Sequence, residues 1–436
     1  MKNNINSVIV FIWSMFIVAA CQEKAPEKIV FGQVTSITGS LAETSRLTTD
    51  PIYKMWIEEV NDAGGLYIKK YDRKIPVELV QYDDESDVEK MKTYLEKLIL
   101  EDRVDFLLPP CGTAMLHEAA IIANKYGYIL MGGAGGAIKL KEIIAGLPYF
   151  FNVLNFADTQ MPVLADIAEE VGVKRVAILM KDDLHGKEYA ATLIPELALR
   201  HIDIVMVKGY HETDADLEDT IADAMMEADT LDADAFIGFT YPTASFTGTG
   251  VAMALGYNPK LLHFNVGPCF GSFAEAFGGA EAVEGIMGPG AWNGKSAEEI
   301  PAFEERFTER WSQGDDPISL DYWGHLVYYA GLQFFQQAVE KAGTLDHDDI
   351  RDIIAADTFD TIMGPVKFEK GMMVGHVGQM GQWQSGIFEV IGPKEQRTAE
   401  PLYPKPDWPE IDSETDAETD TDTEEDTSEQ DAGDDE

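Results

Sequence analysis

From Lys28 onward the apolar positions come in short runs that alternate with amphipathic stretches, which predicts strands and helices in turn. The run Ile29-Val30-Phe31-Gly32-Gln33-Val34 has the length and β-branched content of a strand. After a loop from Thr35 to Thr49, Asp50-Pro51 predicts a helix start, with Asp as the capping residue and Pro at the first helical position. Ile52, Met55, Trp56 and Val60 then recur at helical spacing until Gly64-Gly65, so that face is expected in a core. The pattern repeats as strand 77–81, helix 88–101, strand 104–108, helix 114–125 and strand 128–131. Such alternation implies a parallel sheet with helices on its faces.

A second set follows after Tyr149 to Asn155, with strands at 176–180, 204–207, 235–239 and 261–264 and helices between them. Helices around 301–311 and 320–342 precede a more β-like end at 366–368 and 382–390. Roughly 380 residues exceed what one core usually supports. The expected fold class is therefore α/β, with two doubly wound parallel-sheet lobes and a chain that crosses between them several times.

The ends of the chain add a destination. Lys2 precedes an apolar run from Val8 to Ala20, too short to be a convincing membrane span and ending in small residues, the pattern of a signal peptide. Val18-Ala19-Ala20-Cys21 resembles the lipobox of bacterial lipoproteins, which implies cleavage after residue 20, lipidation of Cys21, a tether over 21–27 and a place in the cell envelope. The segment from Asp412 to Glu436 holds fourteen acidic residues and no Lys, Arg or large apolar side chain, so a disordered tail is expected.

Several segments, in order and at matching spacing, carry a wider resemblance. They are Thr38-Gly39-Ser40-Leu41-Ala42, Asn61-Asp62-Ala63-Gly64-Gly65, Val176-Ala177-Ile178-Leu179 leading to Gly186, Asn258-Pro259-Lys260, Val266-Gly267-Pro268, Glu340-Lys341-Ala342-Gly343 and Gly364-Pro365-Val366-Lys367-Phe368. Through them nearly all of Lys28 to Pro404 resembles the branched-chain amino acid binding family of ABC-transporter solute receptors, the type I periplasmic-binding fold. The resemblance implies two α/β lobes joined by three crossings, a small-molecule ligand held in the cleft between them, and closure that presents the complex to a permease and, through it, to an ATPase. Residues 28–152 and 290–364 are expected in lobe 1, and 153–289 and 365–404 in lobe 2, as a monomer. A sensing receptor of the same fold, feeding a signalling partner, remains the alternative.

Open parallel sheets bind ligands at the carboxyl ends of strands, where helix N-termini offer unpaired N–H groups. The loop Pro109-Pro110-Cys111-Gly112-Thr113 stands where the family binds a ligand carboxylate, and Thr113 keeps a hydroxyl there; it also suits a helix cap before Ala114. Gly132-Gly133-Ala134-Gly135-Gly136 allows close backbone approach, with Ala134 and Gly136 as the candidate contacts. It spells no G-x-G-x-x-G, so a dinucleotide loop is excluded. His185 falls where the family commonly has an aromatic residue, and a lone loop histidine is as often structurally neutral. Tyr241 offers a flat apolar face with a polar tip. Amino-acid-binding members tend to carry an acid near the position of Cys269; none stands there in sequence, although Glu275 follows. An unpaired buried ammonium would cost several kcal/mol, which argues against an α-amino acid ligand. Arg46 offers a guanidinium for a carboxylate, or is a solvated loop charge. The expected ligand is a small amino acid, amide or carboxylate-like molecule, with a carboxylate or neutral amphipathic one favoured.

No Gly-x-Ser-x-Gly, His-Glu-x-x-His or Cys-x-x-Cys is present, so neither an enzyme nor a cofactor or metal site is expected. Removing the tail's fourteen acids from 77 still leaves 63 against 33 basic residues, so acidity is a global property. Such a surface repels nucleic acid and anionic lipid and suits salty surroundings, where screening weakens self-repulsion. The chain is therefore expected to aggregate or lose stability at low salt and recover in molar salt. Light scattering and thermal unfolding across a salt series check this, and a low-salt sample as well behaved as the molar-salt one removes the halophilic reading.

Overall fold

A computed structural model describes residues 24–133, 135–211, 216–314 and 316–409. Cys21, Ala134 and the acidic tail lie outside the described residues. The described chain divides into two compact units, residues up to 155 with 324–376, and 156–323 with the segment from 377. The chain thus passes between units three times. No helix among the described residues is long and apolar enough to cross a membrane.

In the first unit, strand Ile29–Thr35 pairs in parallel with Val77–Asp83 on one side and Phe106–Leu108 on the other. The next strand, Leu130–Gly132, belongs to a separate five-stranded ladder with Phe150–Asn152, Met372–Val374, Gly364–Glu369 and Thr358–Thr361. Phe31 anchors the core. Its ring meets Trp56 at 5.4 Å and Phe335 at 6.0 Å, and Phe106 meets Phe335 at 5.0 Å, all within edge-to-face or tilted aromatic range. Ile52, Met55, Trp56 and Val60 are buried, as their spacing predicts.

Local chemistry moved some boundaries. Helix Thr49–Asp62 starts one residue before Asp50, which does not cap it. The Asp50 carboxylate instead accepts from Thr35 Oγ1 and Gln33 Nε2, both at 3.1 Å, because desolvated strand side chains need that acceptor more than the helix end does. The loop expected from Thr35 to Thr49 contains a further short helix, Ala42–Leu47. The helix from Val88 keeps α geometry to Lys97, then widens by one π turn and stops at Arg103, whose φ is 55°.

The second unit holds one seven-stranded sheet in the order Ile387–Gly392, Met380–Gln384, Ile286–Pro289, Leu261–Phe264, Ala235–Phe239, Arg175–Lys181, Asp203–Tyr210. The last five run parallel and the first two join antiparallel. The β-like stretch expected over 382–390 is a hairpin, because Ser385 and Gly386 both adopt positive φ, 51° and 82°, at its centre. Residues 290–323, expected in lobe 1, stay with this unit: Trp292 N donates to Tyr322 O, Gly271 N to Leu320 O, and Phe270 bridges Asp321. That bridge also delays the long helix, which runs Gly324–Ala342 rather than from residue 320. Residues 365–376, expected in lobe 2, stay with the first unit because Met372–Val374 pairs with both Gly364–Glu369 and Phe150–Asn152.

Four imidazoles are held neutral by burial. His263, mid-strand in the second unit, has no hydrogen-bond partner at either ring nitrogen, and desolvation lowers its pKa from 6.5 to about 3. His325, donating to Leu47 O at 2.8 Å, is also lowered to about 3, and His347 and His185 to about 4. A folded pKa below the unfolded one means that stability is full above pH 6.5 and is lost as pH falls toward 4. Each group contributes a slope of up to about 1.4 kcal/mol per pH unit. The melting temperature in high salt is therefore expected to fall between pH 7 and pH 5, and His263→Leu to flatten that fall. A variant with the wild-type slope would remove His263 from this account.

Candidate functional site

In the first unit the candidate groups gather at the carboxyl ends of the parallel strands. Thr38 is fixed there by Asp83, whose carboxylate accepts from the Thr38 hydroxyl at 2.8 Å and from the N–H groups of Ile37, Thr38 and Glu85. Gly39 has φ +88°, and a Cβ on it would lie 2.5 Å from Glu85 O, so this turn admits only glycine. Ser36 donates to Asp84 at 2.6 Å, and burial raises the Asp84 pKa.

Helix Thr113–Tyr126 opens after strand Phe106–Leu108, with Gly112 at φ +93° as its cap. Thr113 is therefore the first helical residue rather than the cap, and among the described residues its hydroxyl has no hydrogen-bond partner. The first helical bond runs from Leu116 N to Gly112 O, which leaves the N–H groups of Thr113, Ala114 and Met115 without a protein acceptor among the described residues. Thr113 is only 2% exposed, so these donors are concentrated where water is scarce. The glycine loop packs on this helix start: a Cβ on Gly135 would meet Thr113 Cα at 3.5 Å. Gly136 is buried beside it. On the other flank, Cys111 Sγ lies 3.7 Å from Thr48 Oγ1, next to the short helix that carries Arg46.

Arg46 already has a carboxylate. Its Nε and Nη2 donate to the two Glu43 oxygens at 2.8 and 2.7 Å, and this contact holds the Glu43 carboxyl below its usual range. A ligand carboxylate would share that guanidinium with Glu43, and Arg46 is thus a weaker anchor than its position in sequence suggests.

The second unit builds a compact group at its own strand ends. Asp183 caps helix Leu184–Leu199 by accepting from Gly186 N at 2.9 Å, and Gly186 is required because a Cβ would lie 2.2 Å from Lys181 O. This cap turns His185 inward. It is 4% exposed and stacks on Tyr241 with centroids 4.9 Å apart and planes at 26°. Asn265 Nδ2 donates to His185 Nε2 at 3.2 Å, so the neutral ring carries its proton on Nδ1. Lys181 Nζ lies 4.3 Å above the Tyr241 ring. His185 and Tyr241 are thus brought together, and Lys181 and Asn265, which the sequence reading missed, join them. Both end or follow a parallel strand, the signal that would have identified them.

Cys269 is fully buried in the core with Phe264, Phe273 and Trp383, so its side chain packs inward. The acid absent near it in sequence is present in space. Asp321, fully buried, hydrogen-bonds the Cys269 thiol, and burial together with this carboxylate holds the thiol pKa well above its usual value. Its Oδ1 accepts from Trp323 N at 2.9 Å. Trp292, Tyr322 and Trp323 hold this segment in place: Trp323 packs over Gly290 and the Tyr322 hydroxyl donates to Glu304 at 3.0 Å. Among the described residues no group of His, Cys, Asp and Glu could hold a metal ion.

A family model described as periplasmic binding protein matches residues 28–386. The chain is 23% identical over 337 residues to the leucine-specific-binding protein of Salmonella typhimurium, covering 76% of this chain and 84% of that protein. Among solved structures it resembles a solute-binding protein of an ABC transporter from Rhodopseudomonas palustris, in complex with 3,4-dihydroxy benzoic acid, with a TM-score of 0.70 at 16% identity, covering 83% of this chain and 95% of the other. It also resembles a leucine binding protein from Thermotoga maritima, with a TM-score of 0.69 at 18% identity and coverages of 84% and 99%. One aliphatic and one aromatic ligand on this fold show that the fold alone does not choose between them.

Cys111 and Cys269 are both free and buried. Burial pushes the Cys111 thiol from 9.0 up to about 11, a hundredfold loss of thiolate. In a Cys21→Ser chain neither thiol is expected to react with an aromatic disulfide reagent in the native state, and both should react once denatured. A fast-reacting native thiol would contradict the burial described for these two sites.

Proposed function

The chain belongs to the periplasmic binding protein family, and from that premise we propose that it is an extracytoplasmic solute receptor of an ABC importer. In this reading it is anchored through a lipid on Cys21, captures a small carboxylate-bearing solute by lobe closure and delivers it to the permease, which communicates with the ATPase. The observation that carries the reading is the start of helix Thr113–Tyr126, where three N–H groups and the hydroxyl of Thr113 have no partner among the described residues. Fixed donors of this kind favour an anion, because the helix dipole adds to them and no reorganisation is needed. Tyr241, stacked on His185, supplies the flat apolar surface expected to meet the rest of the ligand.

Asp321 alters the choice of ligand. With a buried carboxylate beside Cys269, the objection to an ammonium group loses its force, and aliphatic α-amino acids return beside aromatic and aliphatic carboxylates. The names of the relatives span the same classes. No chemical step is assigned to the chain.

A thermal-shift screen of those three classes in high salt tests the proposal. A ligand at a hundredfold excess over its dissociation constant should stabilise the protein by roughly 2.7 kcal/mol. Thr113→Val removes one hydrogen bond to a charged group, worth about 1.5–3 kcal/mol, and is expected to weaken binding by about tenfold or more. The ligand-free melting temperature should stay near wild type, because the lost hydroxyl bonds nothing among the described residues. A ligand whose affinity Thr113→Val leaves unchanged would sink the assignment of this helix end as the anion site.

A further inference from the structure

The chain carries 77 acidic and 33 basic residues, yet four of its cations fall within six positions: Lys69, Lys70, Arg73 and Lys74. They sit on a two-stranded antiparallel hairpin, Leu66–Ile68 with Arg73–Ile75, in the first unit. Leu66, Ile68 and Ile75 are fully buried and fix the hairpin to the core, while Tyr67 and all four cations are exposed. Its base is held rigidly, since Gly65 has φ +104° and a Cβ there would lie 2.2 Å from Ile75 O. Lys70 N donates to Gly343 O and Lys74 Nζ to Ala63 O at 2.6 Å. Within the hairpin the only acid is Asp72, which accepts from the Tyr67 hydroxyl. Asp346 and Asp349 border the open hollow beside Lys69 and Lys70. Among the described residues no carboxylate lies within ion-pair distance of Lys69, Arg73 or Lys74.

The position of this hairpin matters as much as its charge. Ile29 N donates to Pro76 O at 2.8 Å, so the hairpin leads into strand Val77–Asp83 beside the point where the chain enters strand Ile29–Thr35. That is the amino end of the parallel sheet. The turns that hold Thr38 and Thr113 are at the opposite end, one seven-residue strand or about 23 Å away. Lys28 is the seventh residue after Cys21, which limits the reach from that cysteine to about 25 Å.

We propose that the hairpin Leu66–Ile75 is a membrane-docking element that lays Lys69, Lys70, Arg73, Lys74 and the exposed Tyr67 against anionic phospholipid headgroups. The inference rests on the reading that the chain is anchored at Cys21. A protein of this net charge is repelled by an anionic surface, and a short anchor holds it there regardless. A local cluster of cations at the anchored end converts repulsion into attachment, and a tyrosine among them suits the headgroup layer, being apolar in body and polar at its tip. Docking through the amino end of the sheet leaves the ligand-facing turns directed away from the lipid.

The test uses the full mature chain from Cys21, coupled through that thiol to a maleimide lipid; Cys111 and Cys269 are buried and do not compete. Coupled protein is placed on vesicles of phosphatidylcholine alone or mixed with phosphatidylglycerol, at a Debye length of about 10 Å. Acetylation of Lys69, Lys70 and Lys74 is followed by mass spectrometry, with exposed Lys54, in helix Thr49–Asp62 of the same unit, as reference. On the anionic vesicles the hairpin lysines are expected to react at least about fivefold more slowly, with Lys54 unchanged. Amide exchange of Leu66–Ile75 should slow in parallel, and a Lys69→Glu, Lys70→Glu double variant should lose that protection. Equal rates on the two vesicle types overturn the proposal. Slow labelling without vesicles that speeds up on removing residues 410–436 also overturns it, in favour of the chain's own acidic segment. Because coupling imposes the anchor, neither result depends on lipidation in the cell, which the mass of the Cys21 peptide from membrane fractions tests separately.

Discussion

Parallel pairing of strand Ile29–Thr35 with Val77–Asp83 and Phe106–Leu108 brings the ends of three sequence-distant strands to one edge, and nearly everything else in the first unit follows from that register. Each strand must enter a turn there with its last carbonyls and the next helix's first N–H groups unpaired. Asp83 and Asp84 satisfy part of this demand through Thr38, Ser36 and the backbone. The helix start at Thr113 does not consume its own donors. The second unit solves the same problem differently, with Asp183 capping one helix so that His185, Tyr241 and Asn265 pack into a single group.

Elements read well from the sequence wherever one side of the chain is apolar over a full turn or strand. Strands 235–239 and 261–264 have the expected bounds, because short, largely apolar runs, interrupted only by His263, stand between flanking Asp, Asn and Pro. Two of the failures share one cause: a partner elsewhere in the sequence decided the outcome. Asp50 looked like a helix cap and became the acceptor for Thr35 and Gln33. Residues 290–323 looked like part of the first lobe, but the bridge of Phe270 to Asp321 ties them to the second unit. No periodicity announces such a bridge.

The candidate site was legible to the same extent. Strand-end logic pointed to Thr113, Gly136, His185 and Tyr241, and the structure places each of them after a strand that could be recognised; their contact with a ligand is a proposal. It overlooked Lys181 and Asn265, which close their strands, because a lysine and an asparagine in a turn carry no signal of their own. It valued Arg46 too highly, since the intrahelical Glu43 three residues before it is a competing carboxylate at the spacing that favours a pair. Its reading of Cys269 failed for a different reason. A position can be apolar in sequence and still adjoin a charge, and Asp321 reaches that thiol from a segment that resembled the first turn of a helix.

Opposite ends of one sheet can therefore carry separate electrostatic work without interfering. Donors at the carboxyl ends are backbone groups and a hydroxyl, buried and short-ranged, so salt leaves them effective. The cations of the hairpin at the amino end are exposed side chains whose attraction to a distant surface is screened within about 8 Å at physiological ionic strength. A chain with this excess of acid cannot rely on long-range attraction of any anion, whether solute or lipid. In the functions proposed above, its positive features would act where contact is already enforced, beside a captured solute in one case and at a short anchor in the other. Global acidity and two local anion-facing elements are then compatible, because each element acts only over distances at which the rest of the chain's charge is screened.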